Sequence, residues 1–163
     1  MSHLHIVLHE PEIPQNTGNI ARTCAAVGAS LHLIKPLGFS LDDKYMKRAG
    51  LDYWDLLDLH VYENVEEFYQ KNPGAIVYYF SKKADRVYCE PAFEEEVYLM
   101  FGKETKGIPE SLLKQHHDHC LRMPMREGLR SLNLSNAVAI ATYEVLRQHQ
   151  FEGLEKAGKL FKS

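Results

Sequence analysis

Short apolar runs rich in β-branched and aromatic residues recur along this chain, and stretches with helical spacing separate them. These runs predict six strands, at Leu4 to Leu8, Leu31 to Ile34, Leu59 to Tyr62, Ile76 to Phe80, Val97 to Phe101 and Cys120 to Met123. Strands that alternate with helices pair in parallel, and the helices then cover the faces of the sheet. The sequence therefore predicts an α/β fold with a mostly parallel sheet flanked by helices.

Two of the intervening helices can be placed on the sequence. The first is expected to begin after Asn16, a candidate N-cap, and to end at Gly28. The second, from Leu134 to His149, carries an apolar stripe at three- and four-residue spacing. The tail from Gly153 to Ser163 alternates lysine with leucine and phenylalanine, and it is expected to fray rather than to form an amphipathic helix.

The length and composition limit the class of protein. With 163 residues, of which 45% are apolar, residues 1–163 are expected to form a single domain. The chain has no apolar run of about 18 residues, no signal-peptide pattern and no C-x-x-C pair, which predicts a cytoplasmic protein with free thiols and no membrane contact. The net charge of −3 argues against a broad nucleic-acid surface, and local clusters of Lys and Arg are typical of solvated surface.

Several familiar site motifs are absent. No G-x-G-x-x-G occurs, which disfavours a dinucleotide-dependent dehydrogenase, and no G-x-S-x-G occurs, which disfavours a serine hydrolase. Gly102 and Gly107 have the glycine spacing of a P-loop, but Ile108 and Pro109 follow where Lys and Ser or Thr are needed. The segment from His116 to Cys120 has no partner pair at ligand spacing, so no metal is predicted.

Three loops, each following a predicted strand, remain as candidates for the site. They run from Glu10 to Arg22, from Phe101 to Pro109 and from Met123 to Ala137. Open parallel sheets bind their ligands at the carboxyl ends of the strands, so these loops are expected to meet in one site.

Each loop has a functional interpretation and a plain structural alternative. Arg22 is placed to bind a phosphate, or it is an ordinary surface arginine. Gly102 leaves bare backbone for a ligand, or the second loop is a simple turn from strand to helix. Asn136 and Tyr143 share one helix face away from the apolar stripe, although Tyr143 also suits a partly buried packing position. Spacing alone leaves these alternatives open.

Taken in this order, the three loops resemble the three motifs of the SPOUT superfamily of RNA methyltransferases. The stretches Pro11 to Arg22, Asp42 to Tyr53 and Ser131 to Ala137 are similar to the branch that methylates the ribose 2′-hydroxyl of the wobble nucleotide in tRNA. The resemblance implies a SPOUT fold with a deep trefoil knot in its C-terminal part and a homodimer. It also implies S-adenosylmethionine as cofactor, with S-adenosylhomocysteine as its product.

The resemblance also implies roles for individual residues. The residues expected to bind the cofactor are Phe80, Gly102, Met123, Ser131 and Leu132. Those expected to contact RNA are Asn16, Arg22, Arg126, Arg130 and Asn136. The expected catalytic residues are Arg22 and Tyr143. Because a guanidinium is a poor general base, Arg22 is expected to bind phosphate and stabilise the developing alkoxide, with Tyr143 positioning substrate or cofactor.

The implied substrate is cytidine or a modified uridine at the wobble position, with leucine tRNAs as the family's precedent. A chain with little positive charge and no appended RNA-binding domain is expected to recognise a local single-stranded feature, which the anticodon loop provides. Lys44, Lys47 and Arg48 are expected to hold the stem. The alternatives are a non-catalytic module of the same fold that binds RNA or an adenosyl ligand, and a methyltransferase that acts on a small molecule.

Overall fold

The computed structural model describes residues 2–42, 44 and 51–161 of this chain. Its six strands are β1 (His3–His9), β2 (Ser30–Ile34), β3 (Asp58–Tyr62), β4 (Val77–Phe80), β5 (Glu96–Phe101) and β6 (Cys120–Leu121). All six correspond to the predicted runs. β6 is shorter than predicted because its ladder partner β4 ends at Phe80, opposite Leu121.

The strands form one sheet in the order β3-β2-β1-β5-β4-β6, and every pairing is parallel. This confirms the predicted α/β fold with a parallel sheet. Because the strands are parallel, their carboxyl ends lie along one edge of the sheet, where β4, β5 and β6 end side by side at Phe80, Phe101 and Leu121. The trefoil knot stays a prediction.

The helices whose full bounds fall within the described residues are α1 (Pro14–Val27), α2 (Val65–Lys71), α3 (Glu110–Lys114) and α4 (Leu134–Gln148), with short 3-10 turns at Leu51–Leu56 and His117–His119. The predicted N-cap of α1 is wrong, because the helix begins at Pro14 and Asn16 lies inside its first turn. Proline at a helix start has no N–H to leave unpaired and a φ already suited to the helix. The predicted end is confirmed, since Gly28 adopts a left-handed φ of 76°.

The fourth helix, α4, confirms the predicted stripe. Val138, Ala141 and Val145 are buried, and the side chain of Asn133 caps the helix by accepting from the backbone N–H groups of Ser135 and Asn136. The described part of the tail, residues 153–161, forms turns without a helix. No helix in the described ranges is long and apolar enough to cross a membrane.

The core has two layers, one on each face of the sheet. The face covered by α1 and α4 buries residues such as Ile6, Leu33 and Leu99. The other face, which α2 and α3 cover, buries Val7 and Phe68.

A chain of polar side chains also lies within this second layer. Asn72 Nδ2 donates to Tyr62 Oη at 3.0 Å, and Tyr62 Oη is 2.8 Å from His32 Nδ1. His32 Nε2 is 2.8 Å from His5 Nδ1, and His5 Nε2 is 3.5 Å from the carboxylate of Glu96. Because a carboxylate only accepts, His5 donates to Glu96 and accepts from His32, which in turn accepts from Tyr62. In this arrangement Tyr62, His32 and His5 each donate one hydrogen bond and accept one, and both imidazoles stay neutral.

Acid is expected to destabilise the fold through this chain of side chains. Burial lowers the pKa of His5 to about 4 and that of His32 to about 3, from 6.5. Between pH 6.5 and these lowered pKa values, each of the two histidines binds a proton in the unfolded chain and stays neutral in the folded chain. The stability is therefore complete above pH 6.5 and is lost as the pH falls. We expect the free energy of unfolding to drop by about 2 to 4 kcal/mol between about pH 7.5 and about pH 5.

Urea unfolding at the two pH values measures this loss. His32→Gln, which cannot take up a proton, should show a smaller loss than the wild type. His117→Gln changes an exposed histidine near Asp85 and should show the wild-type loss. An equal loss in His32→Gln would contradict the assignment.

Candidate active site

A cleft of about 920 Å³ opens at the carboxyl ends of β4, β5 and β6. Its walls come from all three loops that the sequence analysis selected, and its volume lies in the range of small-molecule sites. The predicted site residues that line it are Asn16, Phe80, Gly102, Met123, Arg130, Ser131 and Leu132.

Two aromatic rings at the ends of neighbouring strands form part of the cleft wall. Phe80 and Phe101 are stacked, with ring centroids 4.5 Å apart and planes 20° apart. Both are largely buried, and Met123 and Leu134 line the same cleft. This apolar wall suits a flat heterocycle such as adenine.

The glycine loop is built around a close backbone contact. A Cβ at Gly102 would lie 2.1 Å from the carbonyl carbon of Gly107 and 2.1 Å from the nitrogen of Ile108. The loop folds back on itself because the N–H of Gly107, at a φ of 69°, donates to the carbonyl of Lys103 at 2.9 Å. Glycine at 102 is therefore required by the loop's own backbone, a reason different from the bare backbone for a ligand that the sequence suggested as one of two alternatives.

A pair of carboxylates joins the first loop to the second. Glu104 accepts from the backbone N–H of Glu12 at 2.9 Å and from that of Ile13 at 2.8 Å, so it satisfies free donors at the start of α1. In return, Glu12 accepts from the N–H of Thr105 at 3.1 Å and from its hydroxyl at 2.7 Å. Hydrogen bonds from Thr105 lower the pKa of the Glu12 carboxyl.

Asn16 joins these two loops to the third. Its Nδ2 donates to Glu104 at 3.2 Å, and its Oδ1 accepts from Nδ2 of Asn133 at 3.2 Å. Asn133 is the residue that caps α4, and Asn16 is 7% exposed. Both polar atoms of the Asn16 side chain are thus engaged within the protein, and its predicted contact with RNA stays a prediction.

Four predicted site residues lie outside the cleft lining of this chain: Arg22, Arg126, Asn136 and Tyr143. Arg22 is exposed on α1, and its guanidinium lies 5.0 Å from the ring centroid of Tyr53. Tyr143 is 51% exposed in a separate depression that Ala26 and Val27 also line. The structure therefore brings the predicted cofactor residues together and leaves the two predicted catalytic residues elsewhere.

The sequence predicts no metal site, and it assigns Lys44, Lys47 and Arg48 to contacts with the RNA stem. The described residues contain no group of three or more His, Cys, Asp or Glu side chains that could hold a metal ion. Lys44 is exposed, whereas Lys47 and Arg48 lie outside the described residues.

The SpoU rRNA methylase family matches this chain over residues 3–143. The chain belongs to this family. A relative from Geobacillus stearothermophilus, provisionally named a tRNA (cytidine(34)-2'-O)-methyltransferase, is 53% identical over 154 residues, which are 93% of this chain and 98% of the relative. The resemblance to the SPOUT superfamily and to its wobble-nucleotide branch is confirmed.

Two solved structures are also similar to this chain. One, described as concerning 2-OH methylation of C/U34 on tRNA, is 47% identical, has a TM-score of 0.88, and covers 91% of this chain and 97% of its own. The other is the SpoU methyltransferase AviRb of Streptomyces viridochromogenes in complex with AdoMet. It is 22% identical with a TM-score of 0.78, covers 91% of this chain and 61% of its own, and shares the fold.

Several residues that shape the cleft were not among the candidates selected from the sequence. Glu104 was not selected, because its hydrogen-bond partners on the first loop lie far away from it in the chain. Lys82, Lys83 and Lys106 line the cleft and were treated as ordinary surface charge. Their position in the loops that follow β4 and β5 was the available signal, because parallel sheets place ligands at that edge.

Asn16→Ala is expected to destabilise the fold by about 1 to 3 kcal/mol, because the side chains of Glu104 and Asn133 each lose a partner at a partly buried position. Urea unfolding measures the change. Asn19→Ala, an exposed asparagine on the same helix, is the matched control and should be within about 0.5 kcal/mol of the wild type. If both variants unfolded at the same urea concentration, the proposed junction of the three loops would be wrong.

Proposed function

We propose that this SpoU methylase transfers the methyl group of S-adenosylmethionine to the 2′-hydroxyl of the wobble nucleotide, cytidine or a modified uridine 34, of tRNA in the cytoplasm. The observation that supports this most is the cleft in which all three family-like loops meet. The name of the Geobacillus relative supports the nucleotide and the hydroxyl. Leucine tRNAs are proposed on the family resemblance alone.

The residues of the cleft fit the proposed cofactor. Phe80 and Phe101 offer an apolar wall to the adenine, and Ser131 and Leu132 offer backbone and hydroxyl groups on the opposite loop. When bound, S-adenosylmethionine supplies a methyl group that its sulfonium makes electrophilic. The protein then has to orient the ribose hydroxyl and assist the loss of its proton.

The proposed roles of the protein's own residues follow from their chemistry. Arg22 binds a phosphate beside the reacting ribose and stabilises the alkoxide as it forms, because its guanidinium donates several hydrogen bonds and does not lose a proton. Tyr143 positions the substrate through its hydroxyl.

The position of Arg22 supports a homodimer in which the site is completed by a second copy. Arg22 and Tyr143 lie outside the cleft of their own chain, on the two helices α1 and α4 that pack together. Ile140, 42% exposed, adds an apolar side chain to the outer surface of α4. We propose that these helices form the interface and bring Arg22 of one copy to the cleft of the other.

Sedimentation at micromolar concentration measures the oligomeric state. A dimer is expected, and Ile140→Glu should shift it towards the monomer and lower methyl transfer together. Ala26→Glu, another exposed position on the outer surface, tests α1 in the same way. A wild-type monomer that retains full methyl transfer would refute the dimer.

The proposed function is tested by incubating the protein with labelled S-adenosylmethionine and tRNA from cells that lack the gene. Mass spectrometry should locate one new ribose methyl group at the wobble nucleotide, and S-adenosylhomocysteine should accumulate. Replacing the anticodon loop should abolish transfer. A methyl group in ribosomal RNA, in a paired stem or in a small molecule would refute the proposal, as would tight binding of tRNA and cofactor without any transfer.

A further inference from the structure

The charge along the cleft is opposite in sign to the charge of the whole chain. The chain carries a net charge of −3, yet the cleft lining contains five cationic side chains and one carboxylate, Glu104. Glu104 already accepts hydrogen bonds from Glu12, Ile13 and Asn16. The cationic residues of the lining are Lys82, Lys83, Lys103, Lys106 and Arg130.

Two of these cations are neutralised by partners. Lys83 Nζ lies 2.6 Å from a carboxylate oxygen of Glu110, and Lys103 Nζ lies 3.1 Å from one of Glu10. Within the described part of the chain, no carboxylate oxygen lies within ion-pair distance of Lys82, Lys106 or Arg130, and all three are exposed. We call these three residues the basic rim.

The basic rim is supported by ordered backbone. The guanidinium of Arg122 donates to the carbonyl of Lys82, and the N–H of Ser81 donates to the carbonyl of Leu121 at 2.9 Å. Lys106 lies between Thr105, which donates to Glu12, and Gly107, which closes the glycine loop. The backbone from which Lys82 and Lys106 project is therefore fixed at the mouth of the cleft, while their side chains remain exposed.

The proposed cofactor does not account for these charges. S-adenosylmethionine carries a sulfonium and an ammonium group against one carboxylate, so its net charge is positive. Unpaired cations around its site repel it overall, and like charges at close range raise the free energy of the complex. A polyanion, in contrast, gains from each exposed cation and releases a counterion for each phosphate it brings.

We propose that Lys82, Lys106 and Arg130 bind the phosphates of the RNA substrate at the mouth of the cofactor cleft. This inference rests on the proposed function, and it extends the expected role of Arg130 to two lysines on other loops. It explains how a chain of net negative charge binds RNA: a small patch of unpaired cations at the reacting end replaces a broad basic surface. The patch also holds the RNA beside the methyl group rather than elsewhere on the protein.

The test uses the variants Lys82→Gln, Lys106→Gln and Arg130→Gln, singly and together, with a fluorescent anticodon stem-loop RNA as the probe. At physiological salt each substitution is expected to weaken RNA binding about fivefold, and the triple variant about 100-fold, since each removes one phosphate contact. The slope of log affinity against log salt should fall by about 2 to 3 in the triple variant. Lys114→Gln, an exposed lysine on α3 outside the cleft, is the control and should bind like the wild type.

Calorimetry with S-adenosylmethionine separates the two ligands. The triple variant should bind the cofactor as tightly as the wild type or more tightly, and its KM for RNA should rise while kcat at saturating RNA is retained. The proposal is overturned if the triple variant binds RNA like Lys114→Gln, or if it loses cofactor affinity as strongly as RNA affinity.

The proposed function is judged separately, by methyl transfer from the wild type. A wild type that binds RNA through the basic rim but transfers no methyl group would refute the proposed function and leave the rim supported. A wild type that does not bind the RNA would overturn the rim as well.

Discussion

Arg22→Ala is expected to lower the turnover of tRNA methylation about 100-fold or more at saturating tRNA. In the proposed mechanism its guanidinium stabilises the charge that develops on the ribose oxygen, and the loss of one such donor typically costs a factor of about 10² to 10³. Single-turnover methyl transfer measures the effect. Because the proposed mechanism assigns Arg22 to the phosphate and the ribose oxygen and not to the cofactor, the affinity for S-adenosylmethionine should be unchanged.

Arg147→Ala is the matched control for this experiment. Arg147 is an exposed arginine on α4 that pairs with Glu144 at 2.9 Å and has no place in the proposed mechanism. Its turnover should stay close to that of the wild type. Turnover in Arg22→Ala within a factor of about three of the control would require the catalytic assignment of Arg22 to be withdrawn.

A mixture of two inactive variants sharpens the same prediction. If Arg22 of one copy acts at the cleft of the other, a heterodimer of Arg22→Ala with a cleft variant retains one complete site. Mixing Arg22→Ala with Gly102→Val should then restore part of the wild-type turnover. No recovery in heterodimers shown to form would contradict action across the dimer.

Gly102→Ala is expected to abolish binding of S-adenosylmethionine, and Gly102→Val is expected to weaken the binding to the same extent. The first added carbon already meets the backbone of Gly107 and Ile108 at 2.1 Å, so the glycine loop has to change its path with either substitution. We expect an affinity at least about 100-fold weaker in calorimetry, equivalent to about 3 kcal/mol. A ligand that lay against Gly102 would instead tolerate alanine better than valine, which would contradict the backbone explanation.

Gly158→Ala controls for the loss of a glycine, because a Cβ there has open space. The sheet is expected to remain folded in all three variants, since β1, β4 and β5 pair independently of the loop. Circular dichroism and urea unfolding check this. Unfolding of Gly102→Ala would show that the loop also stabilises the core.

Much of the architecture was accessible from local patterns. The apolar runs located all six strands, because residues buried on both faces of a parallel sheet are almost continuously apolar, as Leu31 to Ile34 are. Gly28 marked the end of α1 because few other residues adopt its φ readily. The meeting of three loops in one cleft followed from the rule that parallel strands carry their ligand sites at their carboxyl ends.

The sequence by itself thus determined the elements, the fold class and the edge of the sheet that carries the site, since each depends on residues close together in the chain. Only the tertiary structure decided which distant residues meet. Asn16 and Glu104 are joined by hydrogen bonds, as are Asn16 and Asn133, and nothing in their local sequence specifies the partner. The same holds for the reason that residue 102 is glycine, which depends on the backbone five residues away. It holds also for Arg22 and Tyr143, because the direction in which a helix presents a side chain depends on how that helix packs against the sheet.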